Sequence, residues 1–435
     1  MTKLPLTASE ARRAMDAGRL SARAYLDSCL ARIAAREHQV GAWCEIGAAR
    51  ACAMADRLDA TSSLGILRGI PFGVKDIIDV EGFRTGNGSA IYAAAPLAES
   101  DATVVALLRA AGAMVLGKTV ATEMAGPVPA VGSATRNPHN REYSPGGSSS
   151  GSAAAVADGH VPIAIGTQTA GSVIRPAAYC GVYGFKPSFA AVARGGVKIQ
   201  SQTLDTLGAF TRSMEDMALW YAAVTGAQVV SSLETPTSAP LKIGVLSHLS
   251  AETSPAMVAA LASAATALTR AGEIVVAVDL PATFSGVIAD QKLIQATEMA
   301  RHYAPELSLN RTLLSEPLAA MLDDGARIPN VLYLEALARA NALRDETNAL
   351  FTEVDAWLLP AAAGAAPQGL SSTGDPLFNR MVSLMHLPAI TIPGYRDSAG
   401  MPLGLQLVGK RGADEKLLQS AAQVDHALKA FLATQ

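Results

Sequence analysis

Apolar residues recur at helical spacing over positions 8–36, broken at Gly18, and predict two amphipathic helices with Ser21 capping the second. Positions 48–60 predict a third. From Gly69 to about Ser213 the texture changes to Gly, Ser, Thr and Pro with short apolar runs between them. The runs at 71–74, 113–116 and 161–165 show no polar alternation and predict buried strands. Buried strands joined by glycine-rich loops predict a site-bearing core and not a linker. Residues 231–240, rich in Ser, Thr and Pro, read as a surface loop. Beyond them, strands are predicted at 241–246 and 274–279 around a helix at 255–271, followed by a helical stretch over 287–350. Strands at 356–360, 389–393 and 403–409 and a helix at 413–432 close the chain. This alternation predicts one large α/β domain with a mixed, mostly parallel central sheet covered by helices on both faces. Within it the pattern separates N-terminal helices (8–60), a core (65–220), a variable region suited to a substrate pocket (235–385) and closing strands with a helix (386–435). No internal repeat is present.

Composition narrows the function. Half of the 435 residues are hydrophobic and 17% are charged, ample for a large core. The net charge of −3 comes without a basic stripe, which argues against nucleic acid as a partner. The four cysteines show no C-x-x-C spacing and read as reduced thiols. The charged start has no apolar core of a leader, and no run reaches the roughly 20 apolar residues of a membrane span. The expectation is a soluble, cytoplasmic protein without a membrane partner.

Three motifs compete for the chemistry. Gly112 to Thr119 satisfies the phosphate-loop pattern G-x4-G-K-[ST]. The order of elements is wrong, however, because Gly112 reads as the cap of a helix over 104–111 and the intervening residues as a strand. Gly147-Ser148-Ser149-Ser150-Gly151 has the form of a nucleophile elbow, G-x-S-x-G. It lacks the preceding apolar strand, and His160, His248, His302, His386 and His426 sit in no recognisable catalytic setting. The third is a constellation of separate segments. Lys75 lies in the apolar run Gly69 to Asp76, where desolvation favours the neutral amine, although a lysine at a strand end also reaches water readily. Ser144-Pro-Gly-Gly-Ser148 through Ser152 carries more hydroxyls than one helix cap needs. In Gly166-Thr-Gln-Thr-Ala-Gly171-Ser172, a small-residue turn can aim successive amides at one oxyanion, or simply join a strand to a helix.

Together these segments resemble the amidase signature family. Its lysine segment is similar to Gly73-Val74-Lys75-Asp76, its Gly-Gly-Ser-Ser-Gly segment to Gly146 through Ser150, and its Thr-Asp-Thr-Gly-Gly-Ser segment to Thr167 through Ser172. The spacing of Ser148 and Ser172 suits the family. Thr135-Arg136-Asn137-Pro138, Cys180-Gly181 to Lys186-Pro187, Leu204 to Gly208 and Gly404-Leu405-Gln406-Leu407 resemble its supporting pieces in order. Three departures stand out: Gln168 occupies the position usually held by Asp, Arg175 lies three residues after Ser172 where the usual arginine lies two after, and Ser150 replaces a common glycine.

The resemblance implies the amidase signature fold and a triad of Ser172 as nucleophile, Ser148 as proton relay and Lys75 as base. It further implies a cis peptide at Gly147-Ser148 and an oxyanion hole from the amides of Thr169, Ala170, Gly171 and Ser172. Ser149, Arg175 and Asp205 stand as supporting residues. The implied reaction cleaves a small carboxylic amide to acid plus ammonia or amine, with no metal or cofactor. A homodimer, a partner-dependent amidotransferase chain, a non-catalytic scaffold and a nucleotide-binding protein remain open alternatives.

Overall fold

Side-chain caps start the first helices. Thr7 accepts from the Glu10 amide while the Glu10 carboxylate accepts from the Thr7 amide, opening α1 (Ala8–Asp16). Ser21 caps α2 (Ala22–Val40), which ends at Gly41 in the left-handed conformation. The computed structural model describes residues 4–61, 65–129, 135–230, 239–246 and 252–434; most of the expected 231–240 loop, and His248, lie outside them.

The chain continues with β1 (Trp43–Ile46), α3 (Ala48–Asp59), β2 (Pro71–Lys75), α4 (Thr103–Ala110), β3 (Met114–Thr119) and α5 (Ser150–Ala157). Then come β4 (Ile163–Gln168), α6 (Ile174–Cys180), β5 (Tyr183–Lys186), β6 (Thr206–Thr211) and α7 (Met214–Thr225). The second half runs through β7 (Lys242–Leu246), α8 (Pro255–Arg270), β8 (Ile274–Val278), α9 (Val287–His302), α10 (Ala304–Asn310), α11 (Glu316–Ala326) and α12 (Asn330–Leu350). It closes with β9 (Ala356–Pro360), α13 (Leu377–Leu384), β10 (Ala389–Arg396), β11 (Pro402–Val408) and α14 (Asp414–Leu432). Among the described helices, none is long and apolar enough to cross a membrane.

These strands form one sheet in the order β1-β3-β2-β4-β6-β5-β10-β11-β9-β7-β8. Parallel pairing holds the trios β3-β2-β4 and β9-β7-β8, and antiparallel strands join them. Both faces are covered. In β4, Ile163 and Ile165 pack on one face with residues of α4, α7 and α14, while Ala164 packs on the other with α2, α3 and α5. With both faces apolar, strands such as β5 and β6 carry no alternation, so periodicity alone did not reveal them.

The phosphate-loop match dissolves here. Gly112 follows α4 at φ +90°, and residues 114–117 are β3 itself, so no loop is free to wrap a phosphate. The parallel trio does the positioning instead. β2 ends at Lys75, β3 at Thr119 and β4 at Gln168, and open α/β sheets place ligands beyond the carboxyl ends of such strands.

Helix α5 reaches this end of the sheet through a close backbone contact. The Gly151 amide donates to Val120 O (2.9 Å), and a Cβ at Gly151 would lie 2.3 Å from Ala42 O and 2.4 Å from Val120 N. Gly151→Ala should therefore destabilise the protein by at least the ~1–3 kcal/mol of an overpacked core. A lowered midpoint in urea unfolding checks this; an unchanged midpoint would show that the backbone yields freely here.

Candidate active site

Lys75 is fully buried, and its Nζ donates to Ser148 Oγ (2.7 Å) and to Thr167 Oγ1 (2.7 Å). Both partners are neutral. Burial pulls the amine's pKa down to about 7, against the opposing charge of Asp205. Two other buried lysines calibrate this. Lys118, on the neighbouring strand, forms an ion pair with Asp76 at 3.2 Å and bonds Thr85 and the Arg84 carbonyl, so it is a structural cation. Lys186 is also lowered to about 7 by burial, yet it donates only to the Pro187 carbonyl, so a depressed pKa alone marks no site. What sets Lys75 apart is the serine on its nitrogen.

That serine follows a cis peptide, Gly147–Ser148. Arg175 Nη2 donates to the Gly147 carbonyl (2.7 Å), and the Ser148 carbonyl accepts from the Thr122 amide (3.0 Å). The other hydroxyls of the loop join α5 to the sheet. Ser152 donates to Ile165 O (2.8 Å) and meets Thr119 Oγ1 at 2.7 Å, and Ser150 donates to Val120 O (3.4 Å). Ser149 occupies the N-cap position, but its hydroxyl caps nothing. It bonds the Thr167 carbonyl and amide, both at 3.3 Å, so the cap that the loop was expected to supply in part is absent and the hydroxyl ties α5 to β4 instead. This also removes the nucleophile-elbow reading. Ser149 is buried and committed to β4, and none of His160, His302, His386 or His426 hydrogen-bonds a serine of the loop.

β4 ends at Gln168 and the chain turns through Thr169 to Ser172 into α6. The amides of Ala170, Gly171 and Ser172 make no hydrogen bond among the described residues. Those of Val173 and Ile174 donate to Gln168 Oε1 (2.9 and 3.0 Å). Gln168 thus takes the first amides of α6 with a neutral oxygen. Its Nε2 donates to Ser383 Oγ (3.1 Å), which in turn donates to Ala170 O (2.7 Å) and fixes the turn from the opposite side. Thr169 Oγ1 donates to Asp205 Oδ1 (2.5 Å), while Asp205 Oδ2 accepts from the amides of Gln200 (2.7 Å) and Ser201 (3.1 Å). Burial raises the Asp205 pKa and these hydrogen bonds oppose the rise. Asp205 therefore braces the turn and does not bond Lys75.

Ser172 lines a cavity of about 190 Å³ and forms no hydrogen bond to Ser148 or Lys75. Of the three triad residues expected, two are in contact and the third faces the cavity. Arg175, from the helix that follows Ser172, links the halves: besides Gly147 O it donates to Gly374 O (2.7 Å). Sequence reasoning missed Thr167 as a partner of Lys75, although it sits inside a quoted motif; the parallel β2-β4 pairing was needed to place the two side by side. It also missed the cavity-lining Lys292 and Arg380, which no motif carries.

The family model described as Amidase matches residues 24–418. One chain of the glutamyl-tRNA(Gln) amidotransferase of Roseiflexus castenholzii is 33% identical, over 95% of this chain and 94% of that protein. Among solved structures, 6-aminohexanoate cyclic dimer hydrolase is similar at a TM-score of 0.88 and 26% identity, covering 98% of each chain. The peptide amidase of Stenotrophomonas maltophilia is similar at 0.83 and 28%, covering 97% of each.

Thr167→Val should lower the Lys75 pKa further, because it removes an acceptor that favours the ammonium and adds apolar surface. Nitrogen NMR of labelled lysine reads this directly. A pKa that rises would contradict the assignment of Thr167 as a partner of the charged form.

Proposed function

Because the chain belongs to the amidase family and is an amide-hydrolysing enzyme, we propose that Ser172, Ser148 and Lys75 cleave a small carboxylic amide by way of an acyl-enzyme. The observation that carries this reading is the 2.7 Å hydrogen bond from a buried, carboxylate-free Lys75 to Ser148. A hydroxyl is a weak nucleophile unless a base takes its proton. With a pKa of about 7, the Lys75 amine holds a lone pair at neutral pH.

In the first half-reaction the Ser172 proton passes to Ser148 Oγ as the Ser148 proton passes to Lys75 Nζ, and Ser172 Oγ bonds the carbonyl carbon. The free amides of Ala170, Gly171 and Ser172 support holding the oxyanion, with Thr169 bracing the turn; one such donor is worth about 2.7–4 kcal/mol. The C–N bond then breaks, and the proton returns through Ser148 to the leaving nitrogen. Water repeats the sequence on the ester, releasing the acid and restoring Ser172. The Ser172–Ser148 hydrogen bond forms as substrate fills the cavity, as is common for catalytic contacts that are loose without ligand.

A second reading rests on the similarity to an amidotransferase chain: the protein supplies ammonia from an amide to a partner protein. Amide turnover by the purified chain alone supports the free hydrolase, and turnover only with a partner supports the amidotransferase reading.

Ser172→Ala should reduce turnover by at least about 10⁴-fold with an unchanged unfolding midpoint. A fluorophosphonate should label Ser172, and Lys75→Ala should abolish the label; a normally active Lys75→Ala enzyme would end the mechanism. The pH profile has a definite sign. Protonation removes the base, so kcat/KM should fall below pH 7, where Lys75 titrates, by about tenfold per unit. A profile that stays flat from pH 5 to 8 would exclude Lys75 as the base.

A further inference from the structure

Three cations line the cavity beside Ser172, namely Arg175, Lys292 and Arg380, and no described carboxylate does. Arg175 is occupied by the Gly147 and Gly374 carbonyls. The other two form no ion pair among the described residues. Arg380, on α13, is held by neutral groups: its Nη1 donates to Gln291 Oε1 (2.5 Å) and Gln295 Oε1 (3.4 Å), both on α9. Its Nε is buried without a hydrogen-bond partner, and its Nη2 forms no hydrogen bond among the described residues. Nε and Nη2 make up the edge of a guanidinium that grips a carboxylate through two parallel bonds. Asp375, which does not line the cavity, offsets part of the charge but does not bond Arg380.

Lys292, next to Gln291 on α9, forms no ion pair among the described residues. Several cations of the surrounding elements are paired: Arg339 with Asp290 at 2.6 Å, Arg311 with Asp323 at 2.8 Å, and Lys198, from the segment between β5 and β6, with Glu306 at 2.5 Å. Of the cavity-lining cations, none meets a carboxylate on the cavity wall. At about 190 Å³ the cavity is smaller than the ~300–1,000 Å³ of sites for drug-sized ligands, and Ala296, Met299, Met321 and Pro376 supply apolar wall for a short methylene stretch.

We propose that the substrate is a small amide that also bears a carboxylate, of the class of short dicarboxylic acid monoamides, with the carboxylate held by the Nε–Nη2 edge of Arg380 and by Lys292. This proposal rests on the amidase reading of the same cavity. Arg380 and Lys292 are substrate-positioning residues and take no part in proton transfer.

The test compares succinamate and glutaramate with the neutral butyramide and valeramide, as substrates and as protectants of Ser172 against fluorophosphonate labelling. The charged amides should be preferred in kcat/KM by about 100-fold or more, and should protect at correspondingly lower concentration. Arg380→Gln should reduce the preference to below about fivefold. Lys292→Gln, at an exposed position where folding tolerates exchange, should reduce it severalfold. A neutral amide handled as well as its charged counterpart, or a preference unmoved by Arg380→Gln, overturns the proposal while a labelled Ser172 leaves the amidase reading standing. Should Ser172 resist the label, calorimetry of succinate with Ser172→Ala still decides: binding lost in Ser172→Ala/Arg380→Gln supports the anion site although the mechanism fails, and no binding overturns both.

Discussion

An amine with no countercharge, buried at the end of a strand, is the constraint on which the site depends. Lys75 gives up hydration and receives only the hydroxyls of Ser148 and Thr167 in return. A carboxylate in their place would make it a second Lys118, held in an ion pair. The neutral environment has to be defended, and the surrounding structure does so. Asp205 feels Lys75 but is tied to two backbone amides and Thr169. Gln168 replaces a possible charge with an amide that still receives the start of α6. The serine cluster joins α5 to β3 and β4, so the Ser148 hydroxyl stays on the nitrogen. The parallel trio then sets the distances, because β2 and β4 deliver Lys75 and Thr167 side by side.

Much of this was legible from sequence, for identifiable reasons. Caps and amphipathic periods located α1, α2 and α3, and uninterrupted apolar runs located β2, β3 and β4. β5 and β6 escaped because they are short, glycine-bearing and buried on both faces, and β1 because it is a partly exposed edge strand of four residues. Alternating elements pointed to parallel pairing, which the trios β3-β2-β4 and β9-β7-β8 have, with β1 antiparallel at one edge. The antiparallel strands between them depend on which strands neighbour one another, and periodicity carries no such information. At the site, the serine and lysine segments were conspicuous because their chemistry is unusual in such surroundings. The destination of each hydroxyl was not: Ser149 has the residue type and position of a helix cap, yet β4 passes close enough to take its hydrogen bonds. The cavity cations were silent for another reason. An arginine on an amphipathic helix reads as surface until the packing of α9 against α13 encloses it.

Arg175 joins these parts through its two shortest hydrogen bonds, both to carbonyls, at Gly147 on the Ser148 loop and at Gly374 in the segment leading to α13, with a longer one to Thr373 Oγ1 (3.3 Å). Carbonyls survive substitution. Ser371, exposed beside that grip, can be exchanged without releasing it. The contact between Lys75 and Ser148 is thereby insulated from drift in the segment that borders the cavity. A lineage could retune what the pocket admits, one side chain at a time, and keep the same engine running beneath it.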